Sequence, residues 1–171
     1  LGGLTKGVSP EQMASAYTAF ANKGVRVQPR FVTKIVDANG KVVVDNTAVK
    51  ENRVTTEEVA KKMTSMLLTV YGSEGLGAPF SPAGKTIAGK TGTTEAINND
   101  NGSRDQWMIG YTPDVVVATW MGYDQSGNYS LSASSREGVG PLFKLEMEGL
   151  LQFTANTPIN VEAVKTKQNN Q

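Results

Sequence analysis

Between residues 9 and 24 the apolar positions Met13, Tyr17 and Phe20 return every three or four residues, the spacing of one helix face. The start of that helix is marked too. Ser9 stands as N-cap, Pro10 takes the first helical position, Gln12 can reach back to the cap, and Gly24 supplies a stop. The pattern then turns to β-branched runs in "VQPRFVTKIVDANGKVVVDN", and Ala38-Asn39-Gly40 between them predicts a hairpin. A second helical face follows in Val59, Met63, Met66, Leu67 and Val70, with Thr55 and Glu58 as its capping box and Gly72 near its end. Residues 72–83, "GSEGLGAPFSPA", are loop by composition. Three strand-like runs come next, at 86–93, 106–111 and 115–123. A polar loop joins the first two and Thr112-Pro113-Asp114 joins the last two, so the strands are expected to be antiparallel, since a parallel pair needs a crossover. After a Ser/Gly-rich loop at 124–138, Pro141 opens a last helix carrying Leu142, Leu145, Leu150, Leu151 and Phe153. The order helix, hairpin, helix, three strands, helix predicts an α+β fold, an antiparallel sheet packed with helices. From residue 157 to 171 the chain is polar and without period, and reads as a tail or linker after one unit spanning 1–156.

Composition narrows the chemistry mainly by what is missing. The 171 residues suffice for one domain with a core. Lys and Arg number 17 against 16 Asp and Glu, so a net charge of +1 implies no nucleic-acid partner. No run is long enough to span a membrane, and a chain that opens "LGGLTKGVSP" without an initiator methionine is expected to be a piece of a longer polypeptide. There is no cysteine, as suits an extracytoplasmic bacterial protein or one that does without thiols. There is also no histidine, which removes Ser-His-Asp and Cys-His chemistry and the usual zinc ligand sets together. Any general base for acyl transfer must then be something else, and a lysine of lowered pKa is the obvious candidate. No metal or cofactor site is visible.

The chemistry concentrates in "GKTIAGKTGTTE", residues 84–95, which holds two overlapping signatures. Gly84, Gly89, Lys90 and Thr91 satisfy the phosphate-loop pattern G-x-x-x-x-G-K-[ST], while Lys90-Thr91-Gly92 is the K-T-G element of serine acyl-transfer enzymes that react with β-lactams. A phosphate loop links a buried strand to a helix N-terminus. Here "GAPFSPA" before it has no strand pattern and "GTTEAINNDNGSRDQ" after it has no apolar face, so neither flank fits. Placed within a strand, the motif sends Lys90 and Gly92 to one side and Thr91 and Thr93 to the other. A substrate peptide can then pair along that strand, with Gly92 where the ligand nears the backbone, Lys90 and the threonine hydroxyls at a terminal carboxylate, and the Thr93 amide as half of an oxyanion hole.

"GKTGTTE", "DQWMIGYTPD" and "VVVATWMGYD", in that order, closely resemble the C-terminal part of the transpeptidase domain of class A penicillin-binding proteins, and "LGGLTKGVSPEQMASAYTAFANKG" resembles the segment leading up to it. The similarity runs through most of residues 1–150. It implies the penicillin-binding/β-lactamase-like fold, second half only, from a membrane-anchored bifunctional peptidoglycan synthase on the extracytoplasmic face. It further implies attack on D-Ala-D-Ala stem peptides by the serine of a Ser-x-x-Lys, help from a Ser-x-Asn, and substrate binding by Lys-Thr-Gly. The last maps onto Lys90, Thr91 and Gly92, with Thr93 following; by analogy Thr91 and Thr93 contact the substrate carboxylate and the Thr93 amide serves the oxyanion hole. Stem peptides, β-lactams and the upstream part of the same domain are the implied partners.

One departure is large. No serine of the chain has a lysine three residues on; Thr47 and Lys50 have the spacing with the wrong hydroxyl, and Ser126-Gly127-Asn128 falls after the K-T-G strand rather than before it. The nucleophile is expected on another segment, and this chain alone is expected to be inactive. Rival readings are a carboxypeptidase, β-lactamase or penicillin-sensing domain of the same fold and, from another class, a phosphate-loop nucleotide binder. Trp107 and Trp120 read as core rather than cleft lining, and Glu95 and Asp105 as exposed turn carboxylates.

Overall fold

The computed structural model of the chain describes residues 7–96, 102–124 and 129–161. Helix α1 (Pro10–Ala21) begins as its sequence requires: Ser9 Oγ accepts from the Gln12 amide at 3.2 Å and Gln12 Oε1 from the Ser9 amide at 2.9 Å. Past its end Gly24 takes a φ of +91°, and a Cβ there would lie 2.3 Å from the Thr55 carbonyl oxygen. Only glycine lets the chain pass so close, and the Gly24 carbonyl in turn accepts the Val54 and Thr55 amides.

The hairpin predicted at Asn39-Gly40 forms, with β2 (Lys34–Val36) and β3 (Val42–Asp45) joined by a turn in which Asp37 Oδ1 accepts the Asn39 and Lys41 amides. It is enclosed by a second antiparallel pair absent from the sequence expectation, β1 (Val25–Val27) with β4 (Glu51–Arg53). Three residues of Glu-Asn-Arg carry no alternation, so β4 left no signature.

Helix α2 (Glu57–Leu67) departs from its expected cap and, in part, from its expected face. Thr56, not Thr55, is the N-cap, accepting from the Val59 amide at 3.2 Å; the residue three after it is Val59, so no capping box forms. Of the expected face Leu67 is buried and half-buried Val70 packs against the core, while Val59 and Met66 are exposed; the buried residues of the helix are Ala60, Thr64 and Leu67. Small residues on that face let the helix approach the sheet, where the Thr64 and Tyr111 hydroxyls meet at 2.8 Å.

Strands β5 (Ala88–Glu95), β6 (Ser103–Tyr111) and β7 (Val116–Gly122) form the expected antiparallel sheet in the order β5-β6-β7. Helices cover it on both faces. Met108 and Val117 join Phe143, Met147 and Leu151 of α3 (Val139–Leu151), together with Tyr71, Phe80 and Ile87. On the other face Ala88 and Tyr111 join Leu67, Tyr17 and Phe20. Helix α3 starts two residues before Pro141, and of the five apolar residues expected on its face only Leu151 is buried; Leu145 is 70% exposed and Phe153, beyond the helix, 88%. The face that packs is Val139, Phe143, Met147 and Leu151, a strict repeat of four, with Phe143 stacked on Tyr71 at 5.5 Å.

The segment expected as a tail is docked where it begins. The Thr157 amide and hydroxyl each donate to the Asp114 carboxylate at 2.7 Å, and half-buried Ile159 packs against the Tyr111 cluster; residues 162–171 lie outside the described residues. The hydrogen bonds from Thr157 hold the Asp114 carboxyl below its ordinary pKa. Among the described residues no helix is long and apolar enough to cross a membrane.

Candidate active-site strand

The Lys-Thr-Gly element lies inside β5, and nothing resembling a phosphate loop forms around it. Gly89 through Thr93 are strand and the strand continues to Glu95, so no helix N-terminus follows the lysine. The overlapping nucleotide signature therefore lacks the geometry that would make it work.

Among the described residues β5 has β6 on one side and no strand on the other. Lys90, Thr91, Gly92 and Thr93 stand opposite Ile109, Met108, Trp107 and Gln106. Lys90 is exposed, and its ammonium donates to the Thr91 carbonyl at 2.8 Å. An antiparallel ladder alternates residues whose amide and carbonyl both face the partner strand with residues whose groups both face away. A Thr91 carbonyl taken up by an ammonium puts Thr91, and two residues on Thr93, in the outward-facing set. The open edge thus carries backbone donors and acceptors, an ammonium and two threonine hydroxyls within four residues.

The two glycines of "GKTG" do different work. A Cβ on Gly89 would sit 1.9 Å from the Ile109 carbonyl oxygen and 2.8 Å from the Tyr71 ring, so glycine is needed there for the sheet to close. A Cβ on Gly92 would meet only the Trp107 Cβ at 3.5 Å, an ordinary contact. Any demand for glycine at 92 comes from what approaches the strand from outside.

The side chains beyond the motif form a tie across the sheet. Asp105 Oδ1 accepts from Trp120 Nε1 at 3.1 Å, its Oδ2 accepts from the Thr94 hydroxyl at 2.8 Å, and its amide donates to that same hydroxyl at 3.0 Å. Asp105 is thus a cross-strand anchor rather than the exposed turn carboxylate expected, while Glu95 is exposed at a register shift. Trp107 and Trp120, expected in the core, are only half-buried and pack at 6.2 Å between ring centroids. Of the two motif look-alikes, Thr47 is exposed beside the β2–β3 hairpin with its hydroxyl given to Asp45, and Ser126-Gly127-Asn128 lies outside the described residues.

Two residues that the sequence reading passed over adjoin the strand. Gln106 is 1% exposed directly opposite Thr93, and the Ser135 hydroxyl lies 3.2 Å from that of Thr93. The signal for the first was a glutamine in an otherwise apolar run, because a buried amide must find partners. For the second there was none, since its approach is tertiary.

Residues 2–144 match the penicillin binding protein transpeptidase domain. The chain belongs to that family. It is 41% identical over 155 residues to penicillin-binding protein 2a of Streptococcus pneumoniae, covering 90% of this chain and 21% of that protein. It is 38% identical over 136 residues to penicillin-binding protein 1F of Bacillus subtilis, covering 79% and 19%. The chain therefore spans about a fifth of the length of these curated relatives. Among solved structures, penicillin-binding protein PonA1 from Mycobacterium tuberculosis superimposes with a TM-score of 0.71 at 33% identity, over 85% of this chain and 39% of that one. PonA1 has also been solved in complex with penicillin V, with a TM-score of 0.70. The α+β fold of a penicillin-binding transpeptidase domain is thereby established for the chain.

Proposed function

We propose that this chain supplies the substrate-binding strand of a serine D,D-transpeptidase that cross-links peptidoglycan stem peptides and is acylated by β-lactams. The observation that carries the proposal is Lys90-Thr91-Gly92 on the open edge of β5 in a member of this family. A stem peptide laid along that edge pairs with the outward backbone groups of Thr91 and Thr93 as an added strand. Lys90 and the two threonine hydroxyls hold its terminal carboxylate by charge-assisted hydrogen bonds. The Thr93 amide donates to the carbonyl oxygen as it becomes an oxyanion.

The nucleophile is a serine on another segment of the same domain, with a lysine three residues on as its base. Its hydroxyl oxygen bonds to the penultimate D-Ala carbonyl carbon, the amide bond breaks, and the terminal D-Ala leaves with the hydroxyl proton. The amine of a second stem then takes the acyl group and the serine regains a proton. On this reading the complete protein is a membrane-anchored cell-wall synthase acting on the extracytoplasmic face, and this chain alone is inactive. A hydrolytic enzyme or a penicillin sensor of the same fold would bind substrate in the same way and differ in the fate of the acyl group.

Intact-mass analysis after exposure to benzylpenicillin tests the assignment. A polypeptide containing this chain together with the serine-bearing segment gains one penicillin mass, and this chain by itself gains none. An adduct on this chain alone would overturn the placement of the nucleophile. Lys90→Ala in the complete domain slows acylation by about a hundredfold, as loss of a charge-assisted contact to a carboxylate predicts. An unchanged rate would remove Lys90 from the site.

A further inference from the structure

The serine-rich loop before α3 is fastened to the sheet from beneath the Lys-Thr-Gly strand. Gln106, buried opposite Thr93, donates from Nε2 to the Ser103 hydroxyl and to the Ala133 carbonyl, both at 2.7 Å, and its Oε1 lies 3.5 Å from the Val139 amide. One side chain thus uses both its donor hydrogens and its acceptor, and it holds the two ends of the 133–139 loop. Inside the loop Glu137 accepts the Ser134 amide at 3.1 Å and the Ser134 hydroxyl at 2.9 Å. The Gly138 and Gly140 amides donate to the Ser134 and Ser135 carbonyls at 2.9 Å each. Gly138 is where the loop comes nearest the strut, since a Cβ there would lie 2.7 Å from Gln106 Oε1. A loop fixed at so many points delivers Ser135 Oγ to within 3.2 Å of Thr93 Oγ1.

Resting on the reading of β5 as the substrate-binding strand, we infer that Ser135 is a positioning residue for carboxylate recognition, acting through the Thr93 hydroxyl. With no ligand, either hydroxyl can donate to the other. With a carboxylate beyond Thr93 only one order satisfies both groups: Ser135 donates to Thr93, and Thr93 donates to the anion. Each bond in such a chain polarises the next, and the Thr93 proton is turned toward the substrate instead of toward neighbouring backbone carbonyls. Gln106 makes the arrangement permanent by tying the loop to the strand residue paired with Thr93. The signature of the device is selectivity: Ser135 matters for ligands that carry the carboxylate and is silent for those that do not.

The test uses the complete transpeptidase polypeptide and two probes, benzylpenicillin and its methyl ester. Ser135→Ala is expected to lower the second-order acylation rate for benzylpenicillin about fivefold, the size of one neutral hydrogen bond, and to leave the methyl ester unchanged. Ser135→Thr, which keeps the hydroxyl, restores the benzylpenicillin rate. Thr93→Val gives a larger loss with the same selectivity, and adding Ser135→Ala to it costs nothing more. A selective loss at Thr93 with no loss, or an equal loss on both probes, at Ser135 would overturn the inference and leave the substrate-strand reading standing. A Thr93→Val variant that reacts equally with both probes would overturn that reading and the inference together.

Discussion

The β5–β7 sheet and the β2–β3 hairpin are both antiparallel, both rich in β-branched residues, and opposite in how they are used. In the sheet Met108, Ile109, Tyr111 and Val117 are buried between α3 on one face and α1 and α2 on the other. In the hairpin most apolar residues face outward: Val43 is 62% exposed, Ile35, Val36 and Val42 are exposed as well, and only Val44 is half-buried; Phe31, just before it, is 84% exposed. Strand propensity is therefore a poor guide to where a chain keeps its core, because propensity reports a fit to a pleated surface and burial needs a second layer. The candidate site belongs to the first region, on the edge strand of a sheet that helices pack against on both faces.

The contrast breaks most severely at Phe143. It is fully buried and stacks on Tyr71, so Phe143→Ala is expected to destabilise the complete domain by about 4 kcal/mol, read as a fall in its urea midpoint. Gly89→Ala follows at about 3 kcal/mol, because the new methyl meets the Ile109 carbonyl rather than a side chain that can move. Gly92→Ala sharpens the point: three residues along the same strand it leaves stability within about 0.5 kcal/mol and slows acylation instead. If Gly92→Ala unfolded the domain, the distinction between the two glycines would be lost.

Alkaline pH probes the same core and has no effect at all near neutrality. Burial pushes the Tyr111 hydroxyl up to about 12, a shift that its hydrogen bond to Thr64 only partly offsets, and burial moves Tyr71 in the same direction. Unfolded tyrosines ionise near pH 10. Below that both states are neutral and stability is flat. From about pH 10 toward 12 the unfolded chain loses protons that the folded chain keeps, so stability falls as pH rises. Urea midpoints measured from pH 7 to 11.5 should be level and then drop, and Tyr111→Phe should shallow the drop. Midpoints that rise above pH 10 would contradict the burial of these rings.

What could be read from the sequence follows the same division between local and tertiary causes. The Ser9 cap, the Asn39-Gly40 hairpin and the antiparallel order of β5, β6 and β7 depend on neighbours in the chain, and all appear in the structure. The Lys-Thr-Gly strand was legible for that reason. Which helix face packs was legible on α1, where Tyr17 and Phe20 join the Tyr111 cluster, but only in part on α2 and α3. On α2 the larger Met66 is exposed while the small Ala60 and Thr64 face the sheet. On α3 Leu145 is exposed while Phe143 and Met147, of equal or greater size, are buried, so the packed face is set by where the sheet lies rather than by apolar size. Asp105 read as a turn residue because its partners Thr94 and Trp120 lie on the two neighbouring strands. Ser135 stayed silent until the loop holding it was seen tied through Gln106.

The smallest expected effect lies in the hairpin. Val43→Ser removes a β-branched apolar side chain that contributes little burial, so it should cost no more than about 0.5 kcal/mol in the complete protein, against several for Phe143→Ala. The value of the measurement is its asymmetry. A near-neutral result means the hairpin stands in water in the complete protein as it does here, where Val42 and Val44 pair with Val36 and Ile35 and Val43 falls at the register shift. A loss above about 1 kcal/mol would mean that another part of the protein covers this face, since burial of a valine is worth about 1.5 kcal/mol or more. The contrast between the two regions would then belong to this chain alone and not to the domain that contains it.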